Sequence, residues 1–142
     1  MKTILLVEDD ENDVLFLRHA FKKAGLIAQL EIASDGHKAV EYLTGAAADN
    51  PTVPVPCLVL LDLNLPRKTG LDVLRWIRNH ADLKSLVVIV LTSSNAEADA
   101  AAAYGLCANS YLVKPSDPVA LAEVLGLIRD YWMKWNYVPR CS

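Results

Sequence analysis

Four short apolar runs in this chain each end in a side chain able to do chemistry. Ile4-Leu5-Leu6-Val7 leads into Glu8-Asp9-Asp10, and Leu58-Val59-Leu60-Leu61 into Asp62. Val88-Ile89-Val90-Leu91 leads into Thr92-Ser93, and Tyr111-Leu112-Val113 into Lys114-Pro115. If the four tips meet, they assemble three or four carboxylates, a hydroxyl and an ammonium. Two carboxylates about 4 Å apart repel by roughly 4 kcal/mol at an effective dielectric near 20. A divalent cation removes that penalty. All-oxygen ligands from few carboxylates, with room for water and a phosphate, favour Mg²⁺ over Ca²⁺ or Zn²⁺. The same set suits phosphoryl transfer, which is mostly positioning and charge neutralisation. A carboxylate can be the covalent acceptor, and Asp62 is the candidate because it lies between the metal-binding acids and Lys114. Lys114 balances oxygens that the cation does not reach, and the Thr92 hydroxyl hydrogen-bonds one of them.

Each residue alone has a plainer reading. Glu8, Asp9 and Asp10 suit the start of a helix, whose dipole favours acid there. Asp62 could be an ordinary turn residue, Thr92 and Ser93 a helix cap, and Lys114 a solvated lysine. Those separate explanations do not require all four residues to end apolar strands on one edge, and that coincidence decides for a site.

The tips converge only if the runs are parallel strands. Strands are expected at Thr3–Val7, Gln29–Ala33, Cys57–Leu61, Leu86–Leu91 and Ser110–Val113. Four of the five are nearly unbroken apolar runs, as helix-covered sheets require. Helices are expected between them. The first spans Glu11–Lys23, with Val14, Leu17, Phe21 and Ala24 on one face and Gly25 as its stop. The second runs over Gly36–Leu43, entered by the Asp35-Gly36 turn and ending near Gly45. The third follows Gly70, with Leu71, Leu74 and Ile77 on one stripe. The fourth starts at Asn95 as N-cap and stops at Gly105, and the fifth begins at Asp117-Pro118. Strict alternation of this kind predicts an α/β, doubly wound, five-stranded parallel sheet of flavodoxin-like strand order 2-1-3-4-5, with helices on both faces. Ligands of such sheets sit beyond the carboxyl ends of the strands where the order reverses, here between the first and third.

Composition restricts the remaining possibilities. At 142 residues and 53% hydrophobic, the chain suits a single domain over 1–142, with a core at about 2–132 and a tail over 133–142. Fourteen basic against 17 acidic residues leave a net charge of −3, which offers no footprint for nucleic acid. No run approaches the roughly 18 apolar residues of a membrane span, and the N-terminus is too short for a signal peptide. Three cysteines, Cys57, Cys107 and Cys141, show no metal spacing, and their odd number argues against a disulfide framework. A soluble, cytoplasmic protein is the expectation.

The four segments together resemble a known family. Val7-Glu8-Asp9-Asp10, Leu61-Asp62-Leu63-Asn64-Leu65-Pro66 with Gly70, Leu91-Thr92-Ser93-Ser94, and Tyr111-Leu112-Val113-Lys114-Pro115 are similar to the signatures of response-regulator receiver domains. The resemblance implies that a sensor histidine kinase phosphorylates Asp62. It implies Mg²⁺ ligation by Asp9 and Asp62, by Glu8 largely through water, and by the Asn64 carbonyl. It further implies that Thr92 moves toward the phosphoryl group, that Tyr111 is the switch aromatic, and that Lys114 contacts phosphoryl oxygens through a cis bond to Pro115. Asn64 and Ser94 hold positions that tune dephosphorylation in the family, whereas Asp10 suits a capping role. A phosphoryl group brings about −1.5 to −2 charge and would bias a two-state equilibrium read out on the fourth and fifth helices.

Two segments exceed the minimal domain: the proline-bearing loop Gly45–Pro56 and the tail Asp130–Ser142. With no effector domain expected after the fifth helix, output falls to partner binding. That helix carries two apolar stripes, Leu121, Leu125, Ile128 and Trp132, and also Val124, Leu127, Tyr131 and Trp135. One suffices for the sheet. The other is covered either by the tail folding back or by a second copy, and a homodimer through this helix and tail is the expectation. Loop and tail together are similar to single-domain regulators of cyanobacterial bacteriophytochrome-type kinases. His19, His37 and His80 share no spacing and read as solvated, as do Arg67 and Lys68. Among rivals, a haloacid-dehalogenase-like phosphatase needs an aspartate where Asn64 stands. A flavin carrier needs a phosphate loop where Glu8-Asp9-Asp10-Glu11 would repel one. A degenerate receiver, a phosphorylation-independent docking module, would lack Asp62, Thr92 or Lys114.

Overall fold

Side chains that alternate between the two faces of the fully buried central strands build two cores, one on each face of a single sheet. The structure is a computed structural model and describes residues 2–139. Its strands are β1 (Thr3–Val7), β2 (Gln29–Ala33), β3 (Leu58–Leu61), β4 (Val87–Thr92) and β5 (Ser110–Val113). Its helices are α1 (Glu11–Lys23), α2 (Gly36–Ala47), α3 (Gly70–Asn79), α4 (Glu97–Gly105) and α5 (Pro118–Ile128). All neighbouring strands are parallel, in the order β2-β1-β3-β4-β5. The expected fold class and strand order are thus observed.

Leu5, Val7, Val59, Leu61, Val88 and Val90 point to one face, where α2, α3 and α4 supply Leu43, Val73, Leu74, Ile77 and Ala103. Ile4, Leu6, Leu58, Leu60, Ile89 and Leu91 point to the other, against Leu17 and Phe21 of α1 and Leu121, Leu125 and Ile128 of α5. The period of two along each strand makes this division. Each such side chain contributes about 1.5–3 kcal/mol when fully buried, so the central strands are the least movable part of the molecule and their tips inherit that rigidity.

Several boundaries differ from expectation for identifiable reasons. β4 runs one residue further, so Thr92 pairs with Val113 and its carbonyl accepts from Lys114 N at 2.7 Å. α2 continues through Gly45 to Ala47, because Gly45 is small for packing and not as a stop: a Cβ there would lie 2.8 Å from Thr52 Oγ1. Asn95 does not cap α4. Ala96 occupies the cap position without a side-chain bond, and the Ser94 hydroxyl accepts from Ala96 N at 3.3 Å instead. Asp10 and Asp117 cap their helices as expected, and Asp35, read as a turn residue, caps α2 as well, each through backbone N–H groups two or three residues on.

Beyond α5 the chain widens into a π-helix over Arg129–Trp135, where Asn136 N donates to Tyr131 O at 2.6 Å. No sequence signal predicted this. Lys2 Nζ donates to Met133 O at 2.8 Å and the Arg129 guanidinium to Ala24 O, tying the segment to the chain start and to α1. Trp132, Met133 and Val138 pack onto the α1–α5 face, yet Leu127, Tyr131 and Trp135 remain exposed, at 67%, 57% and 77%. Within the described residues the tail therefore does not cover the second stripe. Residues 140–142 of the expected tail lie outside the described residues. The long loop is anchored by Tyr42, whose hydroxyl donates to Pro54 O at 2.9 Å. Burial, with the Glu31 charge adding, pushes that phenol up to about 12. Cys57 is disulfide-bonded, against the expectation from the cysteine count, while Cys107 is free and exposed.

Candidate phosphoacceptor site

The β1 and β3 tips are held side by side by the ladder. Asp62 N donates to Val7 O at 3.1 Å and Glu8 N to Ala33 O at 3.0 Å, so the first residue after each strand stays in register. This places Glu8, Asp9 and Asp62 together, each offering a carboxylate oxygen within 4.8 Å of the others. Glu8 and Asp62 are buried, at 2% and 7% exposure, whereas Asp9 faces solvent. A buried carboxylate pair with one open, hydrated member is a donor set for a hard divalent cation that keeps several waters. The fit rests on oxygen chemistry and spacing.

The Asp62 carboxylate is fully engaged. Its Oδ1 accepts from the Thr92 hydroxyl at 2.8 Å and from Asn64 N at 3.2 Å. Its Oδ2 lies 3.6 Å from Lys114 Nζ. The ammonium lies closer to Glu8 Oε1, at 2.5 Å, and also reaches Asp13 Oδ2 at 3.2 Å. Burial alone would lower the Lys114 pKa, but the Glu8 hydrogen bond and the charges of Glu8, Asp62 and Asp13 outweigh it, and the net shift is upward. Burial raises the Glu8 pKa, and its bond to Lys114 only partly offsets this.

The loop after β3 is shaped by two close approaches. A Cβ on Gly70 would sit 2.2 Å from Asp62 O and 2.6 Å from Leu63 Cα, and one on Gly36 would sit 1.9 Å from Lys68 O. Glycine lets the first turns of α3 and α2 press directly on the backbone that carries Asp62 and its loop. A capping box between Thr69 and Asp72 fixes where α3 begins. On the other flank, Tyr111 donates its hydroxyl to Ser94 O at 2.9 Å, and the Ser94 hydroxyl donates to Asp99 Oδ2 at 2.5 Å. Thr92, Ser94 and Tyr111 therefore form one connected edge.

The chain matches the response regulator receiver domain over residues 4–126. It belongs to that family. Among curated relatives, the receiver is 36% identical over 136 residues to the probable methanogenesis regulatory protein FilR2 of Methanothrix harundinacea, covering 96% of this chain and 86% of that protein. It is 37% identical over 138 residues to the response regulator Rcp1 of Synechocystis, covering 97% and 93%. The Mn²⁺-bound form of Rcp1 superposes with a TM-score of 0.86 over 98% of this chain and 99% of that one. The phosphorylated cyanobacterial phytochrome response regulator RcpA is 32% identical, with a TM-score of 0.88 over 97% and 98%. This receiver is similar to a subgroup that includes phytochrome-associated regulators.

The structure brings Glu8, Asp9, Asp62, Thr92 and Lys114 together, and the Asn64 N–H donates to the Asp62 carboxylate, while Asp10 caps α1 instead. One geometric expectation fails. The Lys114–Pro115 peptide is trans, since no described residue has a cis bond; trans is the intrinsic preference by about 0.5–1 kcal/mol, and Lys114 reaches all three acids without leaving it. Two partners went unread in the sequence: Asp13, on Lys114, and Asp99, on Ser94. Asp13 stands three residues after the Asp10 cap, a spacing that turns a side chain back toward the helix start. That spacing is the signal that could have found it. His19 and His37 are solvent-exposed, and His80 packs against Trp76 with ring centroids 5.2 Å apart. None of the three joins the site.

Proposed function

We propose that this receiver accepts a phosphoryl group on Asp62, with Mg²⁺ held by Glu8, Asp9, Asp62 and the Asn64 carbonyl. The donor is a phosphohistidine of a sensor kinase. The P–N bond breaks and its electron pair returns to the imidazole nitrogen as the Asp62 oxygen bonds phosphorus. Lys114 and Thr92 hold the phosphoryl oxygens, and Tyr111 follows Thr92 as the switch. The observation that carries this reading is the meeting of two further carboxylates, a hydroxyl and an ammonium around the buried Asp62 carboxylate. Bound cation would neutralise the acids and so admit a further anion. The protein catalyses only its own phosphorylation and dephosphorylation. Incubation with Mg²⁺ and beryllofluoride or acetyl phosphate tests this: the native chain takes up the group and Asp62→Asn does not. Undiminished uptake by Asp62→Asn defeats the assignment.

The same reading makes residues 1–142 one cytoplasmic receiver unit with residues 133–142 as a tail, served by a phytochrome-type kinase. RcpA, described as a phytochrome response regulator, supports that choice of kinase. It also makes the exposed stripe Leu127, Tyr131 and Trp135 a homodimer contact, supported by the exposure of these three large apolar side chains at i, i+4 and i+8 on α5 and the π-helix. Sedimentation is expected to show a dimer that Trp135→Glu converts to monomer. A native chain that stays monomeric with and without beryllofluoride rules the dimer out.

A further inference from the structure

Asp13 has no part in the cation-binding acid group or the phosphoryl chemistry proposed above, yet it touches the ammonium at the site's centre. Lys114 Nζ lies 3.2 Å from Asp13 Oδ2, across 101 residues of sequence. Asp13 is the third residue of α1, after Glu11 and Asn12. An acid at this position ordinarily reaches back to the backbone N–H of the N-cap residue. Here that N–H is already taken, because Asp10 N donates to Glu8 Oε2 at 3.2 Å. Asp13 is thereby released from capping. Its own N–H donates to Asp10 Oδ1 at 3.1 Å, which fixes its backbone at the first turn. The freed carboxylate turns to Lys114, whose side chain is 7% exposed while that of Asp13 is 42% exposed.

We infer that Asp13 is a positioning residue for Lys114: it holds the ammonium aside in the unphosphorylated receiver and competes with the phosphoryl group for it. The inference rests on the proposed role of Lys114. Three carboxylates share this one ammonium, at 2.5 Å (Glu8), 3.2 Å (Asp13) and 3.6 Å (Asp62). Glu8 and Asp62 belong to the acid group suited to a cation, and Asp13 does not. A bound cation therefore relieves the first two of their need for Lys114 and leaves Asp13 as the remaining rival. Phosphorylation is then a transfer of Lys114 from Asp13 to the phosphoryl oxygens. The Asp13 charge also repels the incoming anion directly. Both effects weaken capture in the native protein, so removing the charge strengthens it.

The test compares Mg²⁺-dependent beryllofluoride affinity in the full chain, Asp13→Asn and Glu11→Gln. Glu11 is exposed in the same helical turn, so Glu11→Gln loses the same charge from the same dipole end. Asp13→Asn is expected to bind beryllofluoride about threefold tighter than the native chain at low salt, as fits a half-exposed ion pair. Glu11→Gln stays near the native value, and the gain shrinks as salt screens the pair. Thermal melts of both variants record any loss of helix stability separately. If the native chain binds and Asp13→Asn binds no tighter than Glu11→Gln, this inference is overturned while the phosphoacceptor reading stands. If the native chain takes up no beryllofluoride, both are lost.

Discussion

Gly70→Ala is expected to lower stability by about 3 kcal/mol, at the upper end of overpacking costs, and to abolish phosphoryl uptake. Local preference argues the other way. Alanine in a helix is favoured over glycine by roughly 1 kcal/mol, and its smaller unfolded-state entropy adds about 0.4–1 kcal/mol. The contact overrides both. The new Cβ would lie 2.2 Å from Asp62 O and 2.6 Å from Leu63 Cα, which are backbone atoms with no rotamer to escape into. Asp62 N is tied to Val7 O and Gly70 N to Leu63 O, so the strain cannot be shed without lifting Asp62 from its register beside β1. Urea denaturation and beryllofluoride binding measure the two effects. Gly105→Ala is the control: it also lies in a helix, a Cβ there meets nothing within 4 Å, and its expected effect is neutral or slightly stabilising. Equal behaviour of the two variants would remove close approach as the reason for glycine at position 70.

Lys114→Met is expected to cost about 3 kcal/mol at neutral pH in the absence of divalent cation, because it breaks a buried ion pair from one side. The remaining Glu8 is 2% exposed and has lost both its hydrogen-bond donor and its compensating charge. The pH dependence follows from the two shifts. Lys114 is raised in the folded protein, so its contribution is fully present below the ordinary lysine value and disappears as pH climbs through the raised one. Glu8 is also raised, so folding favours its protonated form. That contribution is present below the unfolded carboxyl value and is lost as pH rises through the folded one. Without Lys114, two of the influences that lower the Glu8 value vanish and it rises further. The deficit of the variant is therefore largest near neutrality and shrinks on acidification, as Glu8 takes a proton. Denaturant melts of both proteins at about pH 5 and about pH 8 check this. A deficit that is the same at both values would mean that Glu8 is not the group left exposed to the loss. Added Mg²⁺ is expected to restore part of it, since a ligand that binds only the folded site stabilises by mass action.

Much of the receiver could be read from neighbours in sequence. The bounds of β1, β2, β5 and α1 agree with expectation because their signals are local: an apolar run, an Asp10 cap, a Gly25 stop. The disagreements occur where a distant contact outweighs a local signal. Gly45 looks like a stop, but Thr52 packs on it and α2 runs on. Asn95 looks like a cap, but Ser94 takes the Ala96 N–H and itself donates to Asp99. The π-helix and the Cys57 disulfide had no local signature at all.

For the site the division is similar. Residue type and strand-tip position placed Glu8, Asp9, Asp62, Thr92 and Lys114 on one edge, because the carboxyl ends of parallel strands all lie on the same side of the sheet, and the order 2-1-3-4-5 makes the β1 and β3 tips neighbours. Only the tertiary structure decided which acid Lys114 prefers, that Asp13 joins it, that the Thr92 hydroxyl already bonds Asp62, and that Gly36 and Gly70 press on the loop. The reason is one of range. Strand and helix periods are set within a few residues, whereas the contacts that orient Lys114 join atoms 101 and 106 residues apart, and packing fixes them only after the sheet has formed.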